Sequence, residues 1–144
     1  MKILIINGPN LNMLGTREPE LYGQNNYAAL EAFIYNTCEE LGVTGRVMQS
    51  NHEGVIVDEI QSAYGDFDAI VLNAAAYTHT SVAILDALKA VGLPAVEVHL
   101  TDIYSREQFR HISYPSLYCE KTVCGKGFDG YREAIEHLVN KYAK

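Results

Sequence analysis

The chain has 144 residues, of which 48% are apolar and 20% are charged; this composition is ordinary for a globular protein and excludes a disordered one. We expect a single domain over residues 1–144, because a chain of this length buries about two-thirds of its unfolded surface without help. The net charge of −7 argues against a nucleic-acid surface, which requires a basic stripe. It does not exclude a small anionic ligand, since a local arginine cluster can dominate its own pocket.

The cysteines and the apolar runs indicate where the protein resides. Cys38, Cys119 and Cys124 have neither CxxC nor metal-ligand spacing, and their odd number fits a reducing cytosol better than a disulfide framework. The first apolar run, Ile3–Ile6, is too short for a secretion signal, and no run approaches the ~20 residues of a membrane span. We therefore expect a cytoplasmic protein with no membrane partner.

Buried strands alternate with amphipathic helices along the chain. The predicted strands cover residues 3–6, 43–50, 69–73, 95–99 and 118–124, and three of them are almost wholly apolar, which is typical of strands covered on both faces. Four helices are predicted. The first is capped by Asn26 and ends at Gly42, and the second lies around Ile60. The third is capped by Thr80 or Ser81, and the fourth covers residues 127–142. This order predicts an α/β fold, a flavodoxin-like doubly wound sandwich with a five-stranded parallel sheet.

Three further predictions concern local structure. Residues 74–79 are expected to be a loop, and a short helical piece is expected from Ser105 to Phe109. Arg106 and Arg110 would share one face of such a helix, where they can bind a carboxylate or phosphate, or can simply pair with acidic neighbours. In the last helix, Tyr131 and Tyr142 are expected to face inward with the apolar positions between them.

Polar residues end three of the apolar strands. Right-handed crossovers bring Asn7, Asn73 and His99 to one edge of the sheet, which is where open α/β sheets bind ligands. The first strand stops at Gly8-Pro9, and the polar segment that follows is about a dozen residues long, as in lids and binding loops.

Two side chains of that segment suggest a general base. A free tyrosine has a pKa of about 10, and a nearby guanidinium favours the phenolate, so that Tyr22 beside Arg17 can accept a proton. The alternative is a solvated surface loop with Tyr22 as its apolar anchor.

The fourth strand carries a second candidate pair. Glu97 and His99 are two residues apart and project to one face of a strand, so that the carboxylate can orient the imidazole or favour its charged form. The alternative is a histidine hydrogen-bonded to backbone. After the third strand, His79 and Asp86 are candidates for substrate contacts, or else a loop histidine and a solvated helical acid.

One glycine motif does not indicate a nucleotide site. Gly125-Lys126-Gly127-Phe128-Asp129-Gly130 matches G-x-G-x-x-G, but the chain lacks the further strand and acid that a dinucleotide fingerprint needs. We predict a tight turn and a helix entry there. His52 and His111 have no partners at metal-ligand spacing, so no metal site is expected.

Four segments together resemble the type II 3-dehydroquinate dehydratase family in order and spacing. They are INGPNL, LGTREP and YG near the start; QSNHEG over residues 49–54; LNA with THTSVA over 72–83; and EVHL, RE and FR over 97–110. The resemblance covers nearly the whole chain. It departs from the family at Thr101-Asp102, where Ser-Asn is common, at Tyr104-Ser105 in place of His-Ala, and over residues 111–121.

The resemblance implies that 3-dehydroquinate, a cyclic hydroxyketo acid, loses water through an enolate to give 3-dehydroshikimate in the shikimate pathway. The implied catalytic residues are the base Tyr22 with Arg17, the acid His99 with Glu97, and Asn10 near the water or enolate. The implied substrate-binding residues are Asn73, His79, Asp86 and Arg110, together with the backbone of Leu100 and Thr101. Residues 17–23 would form a lid that brings Tyr22 to the substrate.

The family further implies a small anionic substrate, no metal or organic cofactor, and trimers assembling into a dodecamer. Two other function classes stay open at this point. A non-catalytic flavodoxin-like binding or receiver module is one, although a receiver would need acidic residues where Asn7 and Asn73 stand. A sister lyase or isomerase acting on a related cyclic hydroxy acid is the other.

Overall fold

Five parallel strands form one sheet in the computed structural model, which describes residues 1–16 and 25–144. The strands are β1 (Lys2–Asn7), β2 (Thr44–Gln49), β3 (Ala69–Asn73), β4 (Ala95–His99) and β5 (Lys121–Cys124). Their spatial order is β2-β1-β3-β4-β5, so the direction of winding reverses between β1 and β3. This arrangement confirms the flavodoxin-like doubly wound fold, and it places the switch point where such folds bind ligands.

Helices cover both faces of the sheet. They are α1 (Tyr27–Glu40), α2 (Glu53–Ser62), α3 (Val82–Val91) and α4 (Asp129–Tyr142). Alternate residues of a strand point to opposite faces. Ile3 and Ile5 therefore pack with α1 and α4, whereas Leu4 and Ile6 pack with α2 and α3. All four side chains are fully buried, which explains why the strand reads as a continuous apolar run.

The predicted caps of α1 and α3 and the predicted end of α1 at Gly42 are confirmed. The Asn26 side chain accepts a hydrogen bond from the N–H of Ala29 at 2.8 Å, and Ser81 accepts one from Ile84 at 3.0 Å. Gly42 and Gly92 follow their helices with φ of 71° and 70°, the left-handed conformation that glycine adopts without strain.

Three local predictions were wrong. Residues 74–79 are not a plain loop, because Ala75–His79 forms a 3-10 helix. The short helix expected from Ser105 to Phe109 is instead two 3-10 turns, Ile103–Ser105 and Gln108–Arg110. Arg106 separates them with φ −101° and ψ −165°, an extended conformation that cannot continue a helix. Tyr142 is exposed rather than inward, because it lies in the last turn of α4, where its hydroxyl donates to the carboxylate of Glu120.

Candidate active site

A cleft opens at the carboxyl edge of the sheet, beside the ends of β1, β3 and β4. It holds about 520 Å³ of empty space, part of it open to solvent. Seven residues that the sequence analysis proposed for the site line this cleft. They are Asn10, Asn73, His79, His99, Leu100, Thr101 and Arg110.

The Gly8-Pro9-Asn10 break forms one wall of the cleft. A Cβ atom on Gly8 would lie 2.5 Å from the carbonyl oxygen of Ala74, so the close approach of the two strand ends requires glycine. Asn10 adopts a left-handed conformation with φ of 70°, which asparagine tolerates better than most residues. Its N–H donates to Oδ1 of Asn51 at 3.0 Å, so the loop after β1 is fastened to the loop after β2.

A buried tyrosine joins the ends of β1 and β3 beneath the cleft. The Tyr131 hydroxyl donates to Oδ1 of Asn7 at 2.6 Å and accepts from Nδ2 of Asn73 at 2.8 Å. Oδ1 of Asn73 also accepts from the N–H of Ala75 at 3.1 Å. The Asn73 amide is therefore largely engaged in holding the sheet edge and the turn after it. From the sequence, Tyr131 was predicted only as a core residue. Its hydroxyl was the available signal for this hydrogen-bonding role, because a buried hydroxyl group needs a partner.

Glu97 and His99 form a buried pair at the end of β4. Oε2 of Glu97 lies 2.8 Å from Nε2 of His99, as the two-residue spacing predicted. Glu97 is fully buried and His99 is 5% exposed, and only His99 lines the cleft. Since Nε2 faces the carboxylate, Nδ1 lies on the opposite side of the ring. The pair therefore has the arrangement of an imidazole whose positive charge a carboxylate stabilises.

Three hydroxyl groups complete the surroundings of Glu97. Ser113 Oγ lies 2.8 Å from Oε1 and 2.6 Å from Oε2, Thr122 donates to Oε1 at 3.0 Å, and Thr78 donates to Oε2 at 3.2 Å. Burial alone would raise the pKa of Glu97, but the hydrogen bonds and the charge of His99 outweigh burial and lower it. The sequence analysis missed these hydroxyls, because they come from three separate parts of the chain.

His79 also lines the cleft, and its imidazole ring is neutral. Its Nδ1 donates to the carbonyl of Ile112 at 2.7 Å, which leaves Nε2 as the acceptor of the neutral ring. Burial lowers the pKa of His79 below its ordinary value, and the hydrogen bond to Ile112, which favours the charged ring, offsets this only in part. A neutral imidazole of this kind can accept a hydrogen bond from a substrate hydroxyl.

Two arginines give the cleft its positive charge. Arg106 and Arg110 both line it, although they come from separate turns and not from one helical face. Arg110 donates from Nε to Glu107 at 3.0 Å and lies over the ring of Phe109. Asp102, where the family commonly has Asn, does not line the cleft. Its Oδ1 accepts from the N–H of Tyr104 at 3.0 Å, which either residue can do.

The remaining proposed site residues are Arg17, Tyr22 and Asp86. Arg17 and Tyr22 lie outside the described residues, as does the proposed lid over residues 17–23. Asp86 lies on the exposed face of α3 and is not part of the cleft wall formed by this chain. The expectation that it reaches back toward the sheet edge is therefore not met within the single chain.

The glycine motif after β5 forms a turn, as predicted. Gly125 and Gly127 have φ of 77° and 56°, and their N–H groups donate to the carbonyls of His99 and Leu100. Within residues 1–16 and 25–144, no three His, Cys, Asp or Glu side chains are grouped so as to hold a metal ion. Across the same residues, every helix is too short or too polar to cross a membrane.

The sequence and the structure are both similar to known dehydroquinases. A catabolic 3-dehydroquinase 1 of Aspergillus terreus is 54% identical over 137 residues, covering 95% of this chain and 90% of the relative. A 3-dehydroquinate dehydratase of Clostridium acetobutylicum is 47% identical over 144 residues and covers both chains completely. The crystal structure of a type II dehydroquinase from Butyrivibrio crossotus has a TM-score of 0.94 and 48% identity, and covers 96% of this chain and 97% of that one.

The family assignment rests on the whole chain. The family model for class II dehydroquinases matches residues 1–139, which include every described strand and nearly all of α4. The resemblance seen in four sequence motifs therefore extends through the complete sheet and both helix layers. The chain belongs to the class II dehydroquinase family.

Proposed function

We infer that this chain is a 3-dehydroquinate dehydratase of the shikimate pathway, a hydro-lyase that forms 3-dehydroshikimate. The observation that carries this function is the buried Glu97–His99 pair at the wall of a polar, arginine-containing cleft, in a chain of the class II dehydroquinase family. An ionisable pair whose histidine lines a cleft and whose buried carboxylate has a perturbed pKa is typical of an acid–base site. A non-catalytic binding module offers no reason for such a pair.

The overall reaction removes a proton from C2 of the substrate and a hydroxyl from C1. The C2 proton lies beside the C3 ketone, so its removal gives an enolate. Loss of the C1 hydroxyl as water then leaves a double bond conjugated with the ketone. The protein must supply a base at C2, an acid at the C1 oxygen and donors for the developing negative charge.

We assign the acid to His99. With Glu97 ionised, Nε2–H of the imidazolium donates to the carboxylate and Nδ1–H remains for the leaving hydroxyl. Once His99 gives up this proton, the neutral ring still holds its hydrogen bond to Glu97, which keeps the ring oriented for reprotonation. Burial of the pair supports this role, since electrostatic interactions are stronger away from water.

We assign the remaining contacts by the position of each group around the cleft. Arg110 and the neutral His79 suit the ring hydroxyls, and the backbone of Leu100 and Thr101, beside His99, suits the carboxylate at C1. Asn10 suits the enolate or the water, because the left-handed turn fixes it at the end of β1. For Asn73 we favour support of the sheet edge, since its amide already bonds Tyr131 and Ala75.

The base remains a proposal from the sequence motif. Tyr22 with Arg17 fits the part, because a guanidinium favours the phenolate. Tyr22→Phe removes the proton acceptor, and Arg17→Ala removes the charge that makes it available. Each is expected to lower turnover about 100-fold or more while the protein stays folded. Near-normal activity of Tyr22→Phe would show that another group is the base.

We further propose that the protein is a cytoplasmic homo-oligomer, trimers assembling into a dodecamer. Large exposed apolar side chains between residues 104 and 117 support self-association. They are Tyr104, Phe109, Ile112 and Leu117, each more than half exposed. A role for Asp86 in substrate binding would then require a cleft of another copy. Light scattering of the purified protein measures the size of the assembly. The proposed cytoplasmic location is supported by the three free cysteines, which fit a reducing compartment.

The direct test of the function is an absorbance assay for the conjugated enone. Purified chain mixed with 3-dehydroquinate should produce this absorbance without any added cofactor. Circular dichroism on the same sample establishes that the protein is folded. A folded chain that forms no enone at high enzyme concentration would overturn the proposed function.

A further inference from the structure

Ser113 is the residue outside the cleft wall that contacts both oxygens of Glu97. Its Oγ lies 2.8 Å from Oε1 and 2.6 Å from Oε2, and the residue is 7% exposed. It comes from the segment between β4 and β5, sixteen residues after Glu97. Ser113 does not line the described cleft, and the site residue that its side chain contacts is Glu97.

The surrounding hydrogen bonds fix the direction of the Ser113 proton. The N–H of Ser116 donates to Ser113 Oγ at 3.2 Å, so the hydroxyl oxygen is an acceptor there. Its single proton is then directed to the Glu97 carboxylate, which must accept it. A hydrogen bond to the charged form of a carboxyl group favours that form. Ser113 therefore favours ionised Glu97, the state that can stabilise an imidazolium at His99.

The segment around Ser113 is anchored to the site on both sides of this hydroxyl. The carbonyl of Ile112 accepts from Nδ1 of His79 at 2.7 Å, and the N–H of Tyr114 donates to the carbonyl of Thr78 at 2.9 Å. Three consecutive residues thus bond His79, Glu97 and Thr78. Such anchoring gives the Ser113 hydroxyl a fixed position relative to the carboxylate.

We propose that Ser113 is a positioning residue for the acid step: its hydroxyl keeps Glu97 ionised and turned toward His99. The catalytic part of this inference rests on the proposed function, whereas the effect of Ser113 on Glu97 does not. Thr78 and Thr122 assist, but each contacts a single carboxylate oxygen at 3.0 Å or more. Ser113 makes the shortest hydroxyl contact and the one shared by both oxygens.

The other titratable groups near Glu97 do not compete with His99 at neutral pH. Those neighbours are His79, Tyr104, Cys119 and Cys124. Burial raises the pKa of the phenol and of both thiols, so all three stay neutral. Burial lowers the pKa of His79, whose ring the Arg110 charge also disfavours in its protonated form. A change at Ser113 therefore acts on the Glu97–His99 pair.

Ser113→Ala tests the proposal through three readouts. We expect kcat with 3-dehydroquinate to fall about tenfold, the loss expected for one hydrogen bond to a charged group, while KM stays within roughly twofold. The acidic limb of the pH profile moves to higher pH, because loss of the hydrogen bond raises the pKa of Glu97 from its lowered value. Carbon-13 NMR of the Glu97 carboxyl follows the same change without any substrate.

Two further variants separate positioning from folding. Ser116→Ala is the matched control, because the Ser116 hydroxyl donates to the backbone carbonyl of Ser113 and does not contact Glu97. Ser116→Ala should leave the pH profile of the reaction and the carbon-13 NMR titration of Glu97 the same as in wild type. Ser113→Cys keeps a slightly larger γ atom but provides a weaker donor, so its kcat and its Glu97 titration should lie between those of wild type and Ser113→Ala. It carries the test if alanine unfolds the segment.

The proposal is overturned if Ser113→Ala leaves the Glu97 titration unchanged, or if KM rises as much as kcat falls. The latter result would mean that Ser113 affects substrate binding and not the acid step. A failure of the proposed function looks different. Wild-type protein then forms no enone, yet the Glu97 titration still responds to Ser113→Ala.

Discussion

Replacing Tyr131 by phenylalanine tests whether one hydroxyl holds the ends of β1 and β3 together. Tyr131 and Asn7 are fully buried and Asn73 is 3% exposed, and the Tyr131 hydroxyl bonds the two amides at 2.6 and 2.8 Å. Tyr131→Phe leaves the apolar packing in place but deprives both amides of this partner. Each buried group that loses its partner costs about 1–3 kcal/mol, so unfolding free energy should fall by roughly 2–4 kcal/mol.

Urea unfolding followed by circular dichroism measures this loss, with the slope of the transition unchanged if the folded state stays compact. Tyr27→Phe is the matched control. It removes a hydroxyl that accepts from Nδ2 of the same Asn7 at 3.4 Å, a long contact at a partly exposed site. This control should cost less than about 1 kcal/mol. If Tyr131→Phe lowers the unfolding free energy no more than Tyr27→Phe does, the Tyr131 hydroxyl does not stabilise the two strand ends as predicted.

Three other changes have defined outcomes. Gly8→Ala places Cβ 2.5 Å from the Ala74 carbonyl oxygen and should lower the unfolding free energy by about 3 kcal/mol, as measured by thermal melts. Gly54→Ala is the control, because there is open space around that position, and it should be neutral or stabilising. Ser81→Ala removes the cap of α3 and should cost about 1 kcal/mol by urea unfolding; no measurable loss would contradict the capping role. Because hydrogen bonds outweigh burial and lower the pKa of Glu97, this residue contributes stability that is present at neutral pH and is lost as pH falls through its folded-state pKa. The difference in unfolding free energy between wild type and Glu97→Gln should therefore shrink from pH 7 to pH 4, and a difference independent of pH would refute the assignment.

Local patterns predicted most of the fold, because its signals lie within short segments. The run Ile3–Ile6 is buried on both faces, and the caps at Asn26 and Ser81 lie where the hydrogen-bonding side chains predicted them. The shared edge of Asn7 and Asn73 follows from parallel strands and right-handed crossovers, and the two residues are paired in the register of β1 with β3.

Periodicity failed where the chain leaves regular structure. A short helix was expected from Ser105 to Phe109, but the Asp102 side chain caps a single 3-10 turn and Arg106 is extended. Both arginines nevertheless reach the cleft, because the two turns lie over the same sheet edge. Their position at the cleft therefore does not come from a shared helical face, and their role in binding an anion stays a prediction.

The candidate site was only partly predictable, for a similar reason. Glu97 and His99 are close in sequence, and a strand places them together by its geometry. Ser113 and Thr122 meet Glu97 through tertiary packing across the segment between β4 and β5, which no local pattern encodes. Asp86 shows the converse: its helix position was predicted, but that position lies on the outer face of the chain.

The rate of enone formation from 3-dehydroquinate by wild type and by His99→Asn tests the central claim most directly. Asparagine cannot deliver a proton as imidazolium does, and it loses the link to Glu97. Wild type should form the enone, and the variant should turn over about 100-fold more slowly or worse with its fold intact, which is the contribution of a positioned general acid. A folded wild-type chain that forms no enone, or a variant that matches its rate, would contradict the assignment of this cleft as a dehydratase site.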